Sequence, residues 1–170
     1  MTGPLLTDEL RALIGRTVVY TAPEPLGRAA LRYFANAVGD TNPLWTDSAY
    51  ARAQGHPDVI APPTLICETN QYTGLPPDED GYAGHTWGIR VPGTQTVRGS
   101  HAYTFHRPVG PDVRVTATWT LVSLDERVTS GGRPLLVVGS RCRYTDQHGT
   151  LLAENEETVL HVALPSEEPR

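Results

Sequence analysis

The second half of the chain alternates apolar and polar residues, and this pattern limits the possible folds more than any other feature. Between residues 113 and 121 every second residue is apolar: Val113, Val115, Ala117, Trp119 and Leu121. A period of two predicts a strand with one buried face. Turn-forming clusters at 129–133 and 146–149 bound two further predicted strands, at 135–144 and 151–162. With an earlier strand at 100–107, an antiparallel meander is expected.

The first half has helical periodicity instead. Thr7 and Asp8 can cap a short helix that runs to about Ile14, and a brief strand is predicted at 18–20. Apolar residues at helical spacing predict helices at 27–38, 48–53 and from Pro63 to about Tyr72. Helices followed by antiparallel strands predict an α+β domain. Residues 1–164 are expected to form one domain, followed by a polar tail at 165–170.

Composition excludes several classes of function. The net charge is -5 and only 19% of residues are charged, so the chain lacks the basic face that nucleic acid requires. No apolar run is long enough to span a bilayer, and the N-terminus lacks the features of a signal peptide. Cys67 and Cys142 are too few for a disulfide framework and are expected to be buried thiols. A cytoplasmic protein without membrane or nucleic-acid partners is therefore expected.

The segment at 74–99 is rich in Gly, Pro and acidic residues and is long for a plain connection. Tyr82, Trp87 and Ile89 offer apolar surface within it, while its glycines permit backbone changes. We therefore expect a mobile lid or tunnel wall over a ligand site, to which Tyr82 and Trp87 contribute. The alternative is a surface excursion that packs on its own domain.

Two motifs follow the helix at 27–38. The first is the loop Gly39-Asp40-Thr41-Asn42-Pro43-Leu44-Trp45-Thr46-Asp47, and the second is Ile60-Ala61-Pro62-Pro63-Thr64-Leu65. Together they resemble the MaoC-like (R)-specific enoyl-thioester hydratases and dehydratases. That family carries a G-D-x-N-P-x-H-x-D loop followed by an I-A-x-x-x-L helix start. The resemblance covers about residues 27–73, and a strand at 103–109 that enters Gly110-Pro111-Asp112 extends it.

The resemblance implies a hot-dog fold, in which an antiparallel sheet wraps around a long central helix. It also implies roles for particular residues. Asp40 and Asn42 correspond to the catalytic loop, and the backbone at Pro63, Thr64 and Leu65 corresponds to the helix start that polarises the thioester carbonyl. Trp45 and Ile60 are expected to contact substrate. No cofactor is implied.

One position departs from the family pattern. Trp45 stands where the family has its catalytic histidine, and an indole nitrogen can donate a hydrogen bond but cannot accept a proton. Two simpler interpretations remain open. The residues from Asp40 to Pro43 favour an Asx-type turn after a helix without any catalytic role, and Trp45 can be a packing residue.

Other histidines are candidate substitutes, and His56, just before the central helix, is the best placed of them, although a loop histidine is the simpler interpretation. His101 and His106 are predicted to face opposite sides of one strand, so at most one can face a cleft. The sequence shows no metal-ligand spacing and no nucleophile motif.

With Trp45 at the histidine position, the resemblance implies a non-catalytic or partly catalytic, substrate-binding subunit of a heteromeric enzyme. That enzyme would be an (R)-specific enoyl-CoA or enoyl-acyl-carrier-protein hydratase or dehydratase, in fatty-acid or polyketide metabolism. The expected ligand is an acyl-CoA or acyl-carrier-protein thioester. The expected partner is a MaoC-like subunit with an intact Asp/His pair. One alternative is a self-sufficient homodimer, either a dehydratase that uses His56 or His85 or a thioesterase that uses Asp40 or Glu68. Another is a non-enzymatic acyl-thioester binding protein.

Overall fold

A computed structural model describes residues 4–67, 69–79 and 81–165. The predicted C-terminal tail lies outside the described residues, apart from Pro165. The helices are α1 (Asp8–Arg11), α2 (Gly27–Ala37) and α3 (Ser48–Ala53), with 3₁₀ helices at Pro43–Trp45, Pro63–Cys67 and Asn70–Tyr72. The strands are β1 (Thr17–Thr21), β2 (Thr94–Phe105), β3 (Thr116–Val128), β4 (Pro134–Thr145) and β5 (Leu151–Ala163).

The five strands form one antiparallel sheet in the order β1-β3-β4-β5-β2. The predicted meander is confirmed for β3, β4 and β5, while the strand predicted at 100–107 lies at the sheet edge beside β5 and not beside β3. β3 begins at Thr116 rather than Val113, because the carbonyl oxygens of Val113 and Val115 accept backbone bonds from Leu26 and Ala22 outside the sheet. The predicted strand at 100–107 is longer at its start and ends at Phe105.

Helix α2 ends as its sequence predicts. Gly39 has a φ of 70°, a conformation open to glycine, and the Asp40 N–H donates to the Ala35 carbonyl at 2.9 Å. Helix α1 is shorter than expected and ends at Arg11, although Thr7 caps it through a bond from the Leu10 N–H at 3.3 Å.

The core lies on one face of the sheet, called here the inner face. One apolar cluster joins α2, the 3₁₀ segments and the middle of the sheet around Leu31, Ile66 and Tyr144. A second cluster joins the N-terminal residues Leu5 and Leu6 to β3 and β4. Cys67 and Cys142 are buried free thiols, as predicted. No helix in the described part of the chain is long and apolar enough to cross a membrane.

The expected long central helix is replaced by two 3₁₀ helices, Pro63–Cys67 and Asn70–Tyr72, with Glu68 outside the described residues. The Gln71 side-chain amide donates to the carbonyl oxygens of Ile66 and Cys67 at 3.1 and 3.3 Å. An α-helix would bond these carbonyls to the N–H groups of residues 70 and 71, so the side chain competes with the helix. Gly74, with a φ of 94°, then ends the segment.

Residues 74–93 are called here the flap. Its described residues, 74–79 and 81–93, lack regular secondary structure, and several of them pack on the inner face. Trp87, Ile89 and Val91 join the second apolar cluster. The flap is shorter than predicted because β2 begins at Thr94, after Gly93 with a φ of 71°. It thus covers part of the face on which a long helix was expected.

Candidate active site

The polar residues of the loop after α2 form local hydrogen bonds within that loop. The Asp40 carboxylate accepts from the Asn42 N–H at 3.0 Å, and the Asn42 side-chain oxygen accepts from the Leu44 N–H at 3.0 Å. Asp47 caps α3 by accepting from Ala49 and Tyr50 at 2.8 and 3.0 Å. Asp40 itself is exposed. This is the Asx-type geometry that these residue types favour unaided.

Trp45 follows this turn and is 8% exposed. Its position is set by backbone bonds, since Trp45 donates to the Asn42 carbonyl at 3.2 Å and the adjacent Leu44 carbonyl accepts from Ile60 at 3.0 Å. The indole Nε1 is buried and has no hydrogen-bond partner among the described residues. Trp45 therefore sits as a packed aromatic ring with an unsatisfied donor.

The indole forms one wall of a cavity of about 230 Å³. Apolar side chains from the motif and the following 3₁₀ helix form the rest of that side: Ile60, Ala61, Pro63 and Ile66. Residues 105–109, at the end of β2, close the other side. This lining suits an apolar group better than a charged one.

His106 borders the cavity, but its imidazole points elsewhere. His101 and His106 face opposite sides of the sheet, as predicted, and the His106 Nε2 lies 3.1 Å from a Glu154 carboxylate oxygen on the outer face. Arg107 is exposed at the rim. The described residues thus place no imidazole base inside the cavity.

The structure brings three of the predicted site residues to the cavity, namely Trp45, Ile60 and Pro63. Asp40, Asn42, His56, Thr64 and Leu65 do not line it. Thr64 is exposed and Leu65 is in the core. Since Pro63–Cys67 spans only five residues and the Leu65 N–H donates to the Pro62 carbonyl, the expected helix start offers little to a substrate carbonyl.

The predicted flap residues lie apart from the cavity lining. Tyr82 stacks against the Arg98 guanidinium, with 4.7 Å between the guanidinium carbon and the ring centroid. The Trp87 indole donates to the Ser140 hydroxyl at 2.8 Å. Both contacts hold the flap against the inner face, which matches the packed-excursion alternative for the ligand-free chain.

His85, a candidate substitute base, belongs to the flap and is buried between the flap and the sheet. It stacks on Trp119 at 4.6 Å, and its Nδ1 lies 3.0 Å from the Tyr20 hydroxyl. Burial, helped by the charge of Arg16, lowers the pKa of His85 to about 4. The imidazole is therefore neutral at pH 7.

A polar group on the inner face was missed by sequence reasoning. His101 of β2 contacts Asn155 and Glu157 of β5, with 3.2 Å between His101 Nδ1 and Asn155 Nδ2 and 3.5 Å between His101 Nε2 and Glu157 Oε1. Burial raises the pKa of Glu157, while His101 and Arg98 act against that rise. The run Glu154-Asn155-Glu156-Glu157 has no apolar alternation, so nothing in it signals which side chains face inward.

The architecture is that of the hot-dog fold, and a solved MaoC-like dehydratase from Rhodospirillum rubrum shares it, with a TM-score of 0.61 at 18% identity over 89% of this chain and 94% of that chain. A family model described as "FAS1-like, dehydratase domain region" matches residues 12–155, and the chain belongs to this family. The expected hot-dog fold and MaoC-like resemblance are thus confirmed.

The chain is also similar to individual proteins of known sequence or structure. The chain is 38% identical over 114 residues to UPF0336 protein SCO4636 of Streptomyces coelicolor, covering 67% of this chain and 72% of that protein. It is 27% identical over 169 residues to a probable enoyl-CoA hydratase alpha subunit of Thermomonospora curvata, covering 94% of this chain and 53% of that protein. The ChsH1-ChsH2 complex of Mycobacterium tuberculosis contains a chain with the same fold, with a TM-score of 0.69 at 23% identity over 89% of this chain and 90% of that chain.

Proposed function

We propose that the chain is the substrate-binding, non-catalytic subunit of a heteromeric (R)-specific enoyl-thioester hydratase or dehydratase. The observation that carries the proposal is the buried indole of Trp45 in the wall of an apolar cavity. By the resemblance, Trp45 stands where the family has its catalytic histidine. The ligand would be an acyl thioester of CoA or of an acyl carrier protein.

Hydration of an enoyl thioester needs a base for water and an acid for the α-carbon. Trp45 can supply neither in its neutral form, and the Asp40 carboxylate is exposed and engaged with the Asn42 N–H. The apolar lining of Ile60, Pro63 and Ile66 remains suited to an acyl chain. The site therefore has a lining that can bind an acyl chain but, among the described residues, has no side chain placed to transfer protons.

The long edge strand β2 supports a partner of the same fold. β2 has twelve residues and pairs on one side with β5, while its other side has no partner strand in the described part of the chain. Exposed strand edges are normally protected or paired. The cavity adjoins the end of this strand at Phe105, so a subunit added along β2 would lie next to the acyl site.

Two relatives support a heteromer. The Thermomonospora curvata relative is named as an alpha subunit, and the Mycobacterium tuberculosis structure is a complex of two named chains. By this analogy a MaoC-like subunit with an intact Asp/His pair would supply the acid–base groups. The flap would act as a lid over the acyl site.

Purification from the native source tests the proposal. A MaoC-like protein with an intact Asp/His loop is expected to co-purify and to confer hydration of crotonyl-CoA. In that complex Asp40→Ala should leave kcat nearly unchanged, because Asp40 serves the local turn. Recovery of an active homomer whose activity disappears with Asp40→Ala would contradict the proposal.

A further inference from the structure

Four polar side chains meet on the inner face of β2, β4 and β5, where the fold otherwise places its core. They are Ser140, Asn155, Glu157 and His101, called here the inner-face polar cluster. Asn155 is 1% and Glu157 is 7% exposed, and Ser140 is also buried. The register explains the clustering, since Ser140 pairs with Glu157 and Glu157 pairs with His101 across three adjacent strands.

Most of the polar atoms in this cluster have partners. The Arg98 guanidinium donates to Glu157 at 2.9 Å, His101 contacts both Asn155 and Glu157, and Trp87 donates to Ser140. The side-chain oxygen of Asn155 is the exception, since it is buried with no hydrogen-bond partner among the described residues. A buried amide left half-satisfied is costly, and a ligand group that satisfies it would be favoured.

The charges of the cluster select for a neutral ligand group. The Glu157 carboxylate is already compensated by Arg98 and contacts His101. A phosphate would meet this carboxylate, and an ammonium group would meet the Arg98 guanidinium. A hydroxyl can both donate and accept, so it satisfies Asn155 whichever way the side-chain amide is oriented.

An aromatic stripe connects the cluster to the cavity beside Trp45. The rings of His101 and Tyr103 stack with centroids 5.7 Å apart, and those of Tyr103 and Phe105 stack at 5.8 Å. Phe105 lines the cavity. A chain that leaves the cavity along this stripe reaches the cluster with its distal carbons, several methylene groups from the thioester.

The flap covers the cluster in the ligand-free chain. Trp87 closes over Ser140, and Tyr82 stacks on Arg98, which holds Glu157. The His101 side chain is 27% exposed and is the member of the cluster nearest to solvent. Lifting the flap would open Ser140 and its neighbours to a ligand.

We propose that Asn155, His101 and Ser140 bind a hydroxyl group carried on the distal part of the acyl chain. The inference rests on the proposed function and specifies its substrate class as acyl thioesters with a remote hydroxyl. Glu157 is a positioning residue that holds His101.

Calorimetry on the full chain tests this with three ligands: ω-hydroxydecanoyl-CoA, decanoyl-CoA and CoA alone. The chain should bind the hydroxylated ester about fivefold to tenfold more tightly than decanoyl-CoA, as one neutral hydrogen bond provides. Asn155→Leu should remove this preference while leaving decanoyl-CoA binding intact. Glu156→Gln, on the same strand but on the opposite face, should keep it.

His101→Phe retains the ring stack and gives a second test should the Asn155 variant not fold, and it should also reduce the preference. Equal affinity of the parent chain for both esters would overturn the inference. The inference would also be overturned if Asn155→Leu lowered the affinity for CoA alone as much as it lowered the affinity for the hydroxylated ester. The group recognised would then be a hydroxyl or amide of the pantetheine. Failure of the parent chain to bind any of the three ligands would contradict the proposed function itself.

Discussion

At the residue scale, the account depends on Trp45. The sequence predicts that this residue replaces the family's histidine, and the structure places it in a cavity wall. Its partners in that wall could be predicted in part, because Ile60 and Pro63 belong to a recognisable motif. Ile66 and Phe105 could not, because their contribution depends on how the 3₁₀ segment packs against the end of β2.

Two substitutions at Trp45 should separate packing from hydrogen bonding. Trp45→Ala should destabilise the chain by about 3–5 kcal/mol, as expected for removing a buried aromatic ring. Trp45→Phe should cost much less, because it also removes an N–H that has no partner in the described structure. Urea unfolding measures both. A loss for Phe as large as that for Ala would show that the indole N–H has an important partner.

The pKa of His85 predicts a pH dependence of stability. Burial lowers this pKa to about 4 from an unfolded value near 6.5, so the unfolded chain binds more protons between these limits. The contribution of neutral His85 to the free energy of unfolding should be fully present above about pH 6.5. The free energy of unfolding should fall by up to about 3 kcal/mol as the pH drops toward 4. His161, whose pKa burial also lowers, acts in the same direction.

Urea unfolding at pH 7 and pH 5 compares the parent chain with His85→Phe, which keeps the aromatic contact with Trp119. The variant should lose a smaller part of its stability at pH 5. An identical pH dependence in both proteins would contradict the buried, neutral imidazole.

At the element scale, the strands were predictable and the central segment was not. The alternation in β3 and the turn clusters on both sides of β4 are local patterns that predict strands without knowledge of the tertiary contacts. The helix expected from Pro63 to Tyr72 was predicted from apolar spacing after a Pro-Pro start and from the family resemblance. The spacing does not reveal that the Gln71 side chain bonds the carbonyls of Ile66 and Cys67, or that flap residues occupy the adjacent face.

The flap should open when an acyl thioester binds. Trp87 and Tyr82 hold it to the inner face by one hydrogen bond and one cation–π contact, and Gly74 and Gly93 flank it in conformations open to glycine. Hydrogen exchange at residues 82–89 with and without an acyl-CoA measures the change. Equal protection in both states would remove the lid hypothesis.

At the scale of the whole molecule, the exposed edge of β2 predicts an oligomer. The fold class followed from the order of helices and strands, whereas the partner depends on surfaces that no local sequence pattern encodes. Light scattering should show a species larger than one chain, in which a second copy or a homologous subunit pairs along β2. A single-chain mass at micromolar concentration would count against this pairing.

The rate of crotonyl-CoA hydration by the purified chain, alone and with the proposed MaoC-like partner, tests the central claim most directly. Because Trp45 cannot act as a base, the chain alone should be slower than the complex by about 10²–10⁴-fold. Ordinary enzymatic turnover by the chain alone, abolished by Asp40→Ala, would contradict the claim that this subunit binds substrate without performing the chemistry.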